Sequence, residues 1–526
     1  MARPFAVIGF TMLLSLSLLF FLPEGAIYIA LAVFAAGLVA ALILRRKVPA
    51  TAAASGLFAC VILLVQLSQV YYPTLVHTGE NLEIRARVTS NADERFGRFY
   101  YQLRTLTING EAVDVRLRLS SSIPVYAEPF DEIIFTGDIF MLGGEDPEMT
   151  RVHQARGVYL GSFIRTFAED RYEHMPRQSW HPMRQVLRFQ RWMQHRLEAL
   201  YPGETGGVYR AMLLGDQSGI GWSTGMDFRI TGKWHIFSVS GLHMSILAWS
   251  LFKALLALRV NRRAAVISSA VFIVFFMALT GFTASCVRAG IMMLILLSGE
   301  LFSRRADALN SLGLAAIILC IINPLSAGQI GMQLSFAATL GIVLFTDRFE
   351  APLRRLKLPK IFAEPLAVTT AALALTLPIT MLRLPSGTSL LSFPANMLLT
   401  PLVGPGMILA GISVFVPWEP LIWLAEQVAA LMFWMTNLLA GIPAPRLRGD
   451  LISLALPFAL CAMVAAAALI LRYVGRPVRL RYTATVIAVL MMLGGWLPGF
   501  LQRDEIHVRR LNTGAGYSYF VSQGSR

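Results

Sequence analysis

The residues best equipped for chemistry lie in FRITGKWHIFSVSGLHMSIL, where His235, Ser240, Gly241 and His243 follow one another closely. A serine three positions ahead of a histidine shares its helical face, within reach of a hydroxyl-to-imidazole bond. A working nucleophile also needs an orienting acid and an oxyanion site. Asp216 and Asp227 are the nearest carboxylates in sequence, and neither spacing suggests a triad. His235 and His243 stand eight positions apart with no clustered third ligand, so the sequence predicts no metal site and no other cofactor. There is no GxxxxGK[ST] loop either, so nucleotide hydrolysis must come from elsewhere.

The elements that position these residues are membrane helices. Hydrophobic residues make up 56% of the 526, charged residues only 15%, and mean hydropathy is +0.60. Soluble chains are about one-quarter charged, and the apolar residues here fall in runs of the roughly 20 residues a bilayer core requires. Spans at 5–22 and 26–44 are separated only by Pro23-Glu24-Gly25, with no convincing small-x-small cleavage site, so the first reads as a retained anchor rather than a signal peptide. Arg45-Arg46-Lys47 belongs in the cytoplasm by the positive-inside rule. A third span at about 49–72 then delivers a polar region, about 73–205, to the periplasmic side. The later basic clusters, from Arg259–Arg263 to Arg472–Arg481, all fall on the cytoplasmic side when spans alternate, for a total of about thirteen. Segment 394–416, with Pro401 and Pro405, is open to a broken or re-entrant form. Cys60, Cys286, Cys320 and Cys461 all lie in apolar stretches, which argues against a disulfide framework. The +15 net charge follows largely from topology and is weak evidence for nucleic-acid binding.

The polar region reads as β structure. In LEIRARVTS, Leu82, Ile84, Ala86 and Val88 alternate with charged residues, the period of a half-buried strand. YYQLRTLTI and EAVDVRLRL flank Asn109-Gly110, a hairpin turn pair. Strands at about 133–141 and 157–167 complete a small five-stranded, OB-like barrel, which serves either as a scaffold or as a groove for single-stranded nucleic acid. After it, Val186, Met193, Leu197 and Leu200 share one helical face, and Arg184, Arg188, Arg191 and His195 another. Such a basic amphipathic helix suits the membrane interface or the phosphates of an arriving polyanion.

VYRAMLLGDQSGI, with Gly215-Asp216, followed by the His235–His243 core, resembles the signature of ComEC-type competence proteins. TGFTASCVRAGIMM with Arg288, NPLSAGQIGMQLSFAATLGI with Gln333, and SFPANMLLTPLVGP with Asn396 and Pro401 resemble the same family in the same order. The likeness extends over about 20–500. It implies a polytopic α-helical membrane protein with a periplasmic barrel insertion. The parts are a three-span anchor (1–72), the barrel (73–175), the basic helix (176–205), a channel domain (206–500) and a periplasmic tail (501–526). Polar side chains within spans face a bundle interior or water. Arg288, Gln329, Gln333, Asn396, Gln427 and Asn437 are such groups, each suited to helix–helix bonding or to lining a conduit.

The resemblance implies an inner-membrane channel that takes single-stranded DNA into the cytoplasm during natural transformation. The candidates along its path are Asp216, Lys233, His235, Ser240, Gly241, His243, Arg288, Gln333 and Asn396, with Arg184, Arg188 and Arg191 at the periplasmic entrance. It further implies a periplasmic DNA receptor and a cytoplasmic helicase-like ATPase as partners, with membrane lipid around the spans. Family members often continue into a metallo-β-lactamase-like domain. Here the eight histidines include no His-x-His pair, and EIHVRRLNTGAGYSYFVSQGSR resembles only that domain's opening strand and glycine turn. Asn512 and Tyr517 stand where the family commonly has acids, so the sequence predicts a channel and not an enzyme. Two alternatives are a secondary transporter of a small solute, which would commonly show related halves, and an intramembrane hydrolase using Ser240 and His243.

Overall fold

The computed structural model describes residues 3–447 and 506–523, apart from 23–24, 46, 96–97, 126, 145–146, 165–171, 177–179, 302–306, 356–358, 384–387, 390, 443–445 and 513–516. The chain forms two compact units. One comprises Met1–Ile220, Ile236–Gln333 and Gly404–Gln427, and the other Gly221–His235, Leu334–Val403 and Val428–Arg526.

The first unit begins with three apolar helices, α1 (Pro4–Leu19), α2 (Gly25–Ile43) and α3 (Lys47–Leu75). The last turns of α3 widen into a π-helical segment at Leu67–Tyr71. A five-stranded barrel follows: β1 (Gly79–Val88), β2 (Arg98–Ile108), β3 (Arg116–Ser121), β4 (Glu132–Met141) and β5 (Leu160–Ile164). Neighbours run β1-β2-β3-β5-β4 and close through β1–β4, with β3 and β5 parallel and every other pair antiparallel. Closure removes the exposed strand edges that an open sheet would present. The inward residues are those the alternation predicts: Ile84, Ala86, Val88, Leu103, Leu117, Leu119, Ile133 and Phe135 are all buried.

Asn109 and Gly110 take positive φ in the hairpin turn, the conformation an Asn-Gly pair supplies at least cost. The strand expected over 111–119 is interrupted at 113–115. There the Thr105 hydroxyl accepts from the Val115 N–H (2.9 Å) and donates to the Val113 carbonyl (2.6 Å), taking over the ladder's missing bonds. A helix the sequence did not predict, α4 (Pro147–Arg156), joins β4 to β5. The Ala155 carbonyl at its end accepts from Asn323 Nδ2 (3.2 Å) and Gln329 Nε2 (2.6 Å), which ties the barrel to the helices of the same unit.

The remaining helices are α5 (Pro182–Leu200), α6 (Glu204–Leu214), α7 (Trp222–Ile230), α8 (Gly241–Ala257), α9 (Arg262–Leu279), α10 (Ala284–Leu301), α11 (Ala308–Ile322), α12 (Ile330–Arg355), α13 (Lys360–Arg383), α14 (Ser392–Phe415) and α15 (Glu419–Ala440). Seven of the described helices have stretches long and apolar enough to cross a membrane: α2, α3, α9, α12, α13, α14 and α15. The shorter apolar helices α1, α8, α10 and α11 cover four further segments expected as spans. The two expected after Asp450 lie outside the described residues.

α1 packs on α11 where Gly9 meets Gly313, and a methyl on either glycine would collide with backbone of the other helix. Arg3 Nε is 2.9 Å from Asp307 at the start of α11, and the Ser17 hydroxyl bonds the Ala327 carbonyl (2.9 Å) just beyond its end. The two helices therefore run in the same direction, as alternation between the first and seventh expected spans requires. The segment with Pro401 and Pro405 is not broken: α14 runs continuously from Ser392 to Phe415, with Pro394 in its first turn, where no N–H is needed.

Candidate functional site

Helix α5 is where the structure departs furthest from the expected exposed basic surface. His181 caps it, its Nδ1 accepting from the Met183 N–H. Arg184 is buried against the barrel, bonded to the Pro129 carbonyl (2.8 Å) and paired with Asp131. Asp131 also meets His174 Nε2 at 2.8 Å. Arg188 and Arg191 both reach Glu128, at 2.6 and 3.4 Å. The Arg188 guanidinium holds the Glu128 carboxyl below the ordinary carboxylate range. Each entrance candidate thus has a carboxylate of the barrel as its partner.

The same helix also grips the apolar helices of its unit. Gln190 accepts from Asn91 of the barrel (2.7 Å) and donates to the Leu279 carbonyl of α9 (2.8 Å). Phe189 stacks among Trp192, Phe275 and Phe415. α5 is a strut between barrel and bundle.

The barrel carries a basic row that the sequence reading missed. Strand pairing sets Arg87 opposite Arg104, and Arg104 opposite Arg116. Adjacent strands lie about 4.8 Å apart, and like charges directly opposite are destabilising. Asp114 relieves part of this with two bonds to Arg104 (2.5 and 2.6 Å), which lower its own pKa. Arg87 reaches Glu132 at 3.3 Å, while its buried Nε has no partner among the described residues. Arg87, Arg104, Thr105 and Asp114 line a cavity of about 320 Å³ that opens on this face.

Ser240 and His243 do come together, as a helix cap. His243 Nδ1 accepts from the Ser240 backbone N–H (2.9 Å) and stands 3.1 Å from the Ser240 hydroxyl at the start of α8. This is a capping box with histidine where glutamate or glutamine usually sits. With Nδ1 accepting, the ring proton belongs on Nε2, which is buried and has no partner among the described residues. An orienting acid would have to bond there. Gly241 lies beside Ala289, the neighbour of Arg288. Arg288 itself is buried in α10, with the Ser285 hydroxyl at 3.2 Å among its partners.

Asp216 is bonded within its own loop and to helix α5. One carboxylate oxygen accepts from the Ser218 N–H and hydroxyl (3.0 and 2.7 Å), and the other from Gln194 of α5 (3.2 Å). Gln333 donates to the Ala327 carbonyl (3.0 Å) in the turn that leads into its own helix, a local bond rather than one between helices. Gln427 and Asn437 lie on exposed positions of α15.

In the second unit, Lys233, His235 and Asn396 are present. His235 is exposed, its Nδ1 3.2 Å from the Gly232 carbonyl. Gly232 takes a φ of +72°, which turns the chain so that Lys233 runs inward. Lys233 is fully buried, its Nζ 3.2 Å from the Thr400 hydroxyl of α14. Asn396 is half-buried one turn before Thr400 on the same helix.

Residues 212–474, half the chain, match the family model described as Competence protein. The matched stretch holds every path candidate, whereas the barrel lies before it. Over 203 residues the chain is 28% identical to ComE operon protein 3 of Bacillus subtilis (strain 168), covering 39% of this chain and 25% of that protein. The chain thus spans about a quarter of the curated relative it matches. No solved structure matches. Apolar helices in series, with polar groups inside the matched half, fit what the match says: the chain belongs to the competence protein family, of the ComEC type.

Proposed function

We propose that this protein forms the inner-membrane channel through which single-stranded DNA enters the cytoplasm during natural transformation. One observation carries the reading: the competence match coincides with the half of the chain that buries Lys233, His243 and Arg288 among apolar helices. Burying such groups is costly, so membrane proteins keep them where a polar path must exist. A polyanion cannot cross hydrocarbon, and its route must offer positive or hydrogen-bonding groups. The Arg87–Arg104–Arg116 row adds basic side chains on the barrel and, beside the α5 arginines, supports a periplasmic DNA-facing role for it. The N-terminus is cytoplasmic in this reading. A periplasmic receptor delivers DNA, a cytoplasmic helicase-like ATPase draws it in, and the chain itself is a conduit and not an enzyme.

The test is uptake of labelled DNA by a transformable strain lacking the gene and complemented with this chain. Restored uptake is the expected result. Uptake that continues undiminished in the deletion strain overturns the reading.

A further inference from the structure

The second unit buries a lysine that has no carboxylate partner among the described residues. Lys233 is 0% exposed, and burial, with no carboxylate partner among the described residues to oppose it, lowers its pKa from the usual lysine range to about 7. Its one described side-chain partner is the neutral Thr400 hydroxyl. Thr400, Asn396 and Ser392 recur every four residues along α14 and so share one face of that helix. The Ser392 hydroxyl is buried and has no partner among the described residues. A methyl on Gly232 would stand 3.1 Å from Ser392 Cβ, so the Gly232-Lys233 segment lies directly along this stripe.

The chemistry of the stripe selects its ligand. An ammonium, two hydroxyls and a carboxamide can all donate hydrogen bonds, and no member carries negative charge. Such a set suits an oxyanion and disfavours a metal ion. A lone buried ammonium is expensive, but bonds from a charged donor to phosphate are short and strong. A channel wide enough for a nucleotide chain must also be shut when empty, or it would leak ions. A phosphate contact that is sealed at rest answers both conditions.

We propose that Lys233, with Ser392, Asn396 and Thr400, forms a binding position for a phosphodiester oxyanion, taken in turn by successive phosphates of the passing strand. The inference rests on the channel reading and names one contact within it. Without DNA, Thr400 holds the place that a phosphate oxygen takes during transport.

The experiment uses the full chain with Lys233→Met and Asn396→Asp, the second nearly isosteric but repelling an anion. In the complemented deletion strain, each variant at wild-type membrane abundance should lower uptake about tenfold or more, the scale of one charge-assisted contact. In nanodiscs of zwitterionic lipid, Lys233→Met should also lower the salt dependence of oligonucleotide binding by about one phosphate contact. If the wild-type chain does not restore uptake, the channel reading itself fails. If it restores uptake and both variants match it in uptake and salt dependence, the channel stands and this contact is wrong. If Lys233→Met instead strips bound phosphatidylglycerol, seen by native mass spectrometry, and leaves DNA binding unchanged, the occupant is a lipid headgroup and the proposal is overturned. Should Lys233→Met fail to accumulate, Asn396→Asp decides alone.

Discussion

Two regions each bury a basic side chain, Arg184 in one and Lys233 in the other, and they treat it in opposite ways. Where α5 meets the barrel, Arg184 faces Asp131, while Arg188 and Arg191 share Glu128. Along α14, Lys233 has a hydroxyl for company and no carboxylate among the described residues. At the buried end of the seam Arg184 and Asp131 compensate each other, so removing either one leaves the other charge poorly compensated. Lys233 makes no comparable ion pair among the described residues, so its burial is not offset in the same way.

Thermal unfolding of the full chain tests this contrast most directly. Arg184→Met leaves Asp131 buried with His174 as its remaining basic partner and should cost about 3 kcal/mol, the lower end of the usual penalty for breaking a buried pair. Adding Asp131→Asn should recover much of that loss. Lys233→Met should change stability by less than about 1 kcal/mol, or raise it, because it deletes an unpaired buried charge. Equal losses in the two single variants would erase the distinction.

A second measurement concerns the strut. Gln190→Leu removes the bonds to Asn91 and to the Leu279 carbonyl and should cost about 1–3 kcal/mol. Limited proteolysis should then show the barrel released earlier than the helices. Ser240→Ala removes a helix-cap residue and should cost about 1 kcal/mol while uptake persists. Complete loss of uptake at normal abundance would return Ser240 to a chemical role.

The barrel was legible because period-2 alternation is a local signal: Ile84, Ala86 and Val88 point inward in the sequence as in the structure. The arginine row was not. Counting back from the Asn109-Gly110 turn sets Arg104 opposite Val115, and the interruption at 113–115 shifts the register by one so that Arg104 meets Arg116. The pairing of Arg188 with Glu128 joins residues 60 positions apart, which no periodicity reports. Helix α4 is polar and short, without an apolar stripe to announce it. The Ser392–Asn396–Thr400 spacing was open to view, but the presence of Lys233 beside it depends on the turn at Gly232. Of the path candidates, Asp216 and Gln333 proved to have local bonding duties that the sequence left open.

The smallest effect lies at the exposed end of the seam, and it fixes where pairing stops mattering. Glu128 and Arg188 are both nearly half exposed, so solvent screens their attraction. Glu128→Gln should cost only a few tenths of a kcal/mol, and less in high salt. The pH dependence has a definite sign. Arg188 lowers the folded-state pKa of Glu128 beneath the ordinary glutamate value of 4.5, so the unfolded chain takes up the proton first as pH falls. The pair's contribution is therefore complete above that value and declines as acid carries pH through the lower folded value. Melting curves of wild type and Glu128→Gln should differ slightly at pH 7 and converge on acidification. A gap that widened in acid would mean that Glu128 is held by something other than its arginines.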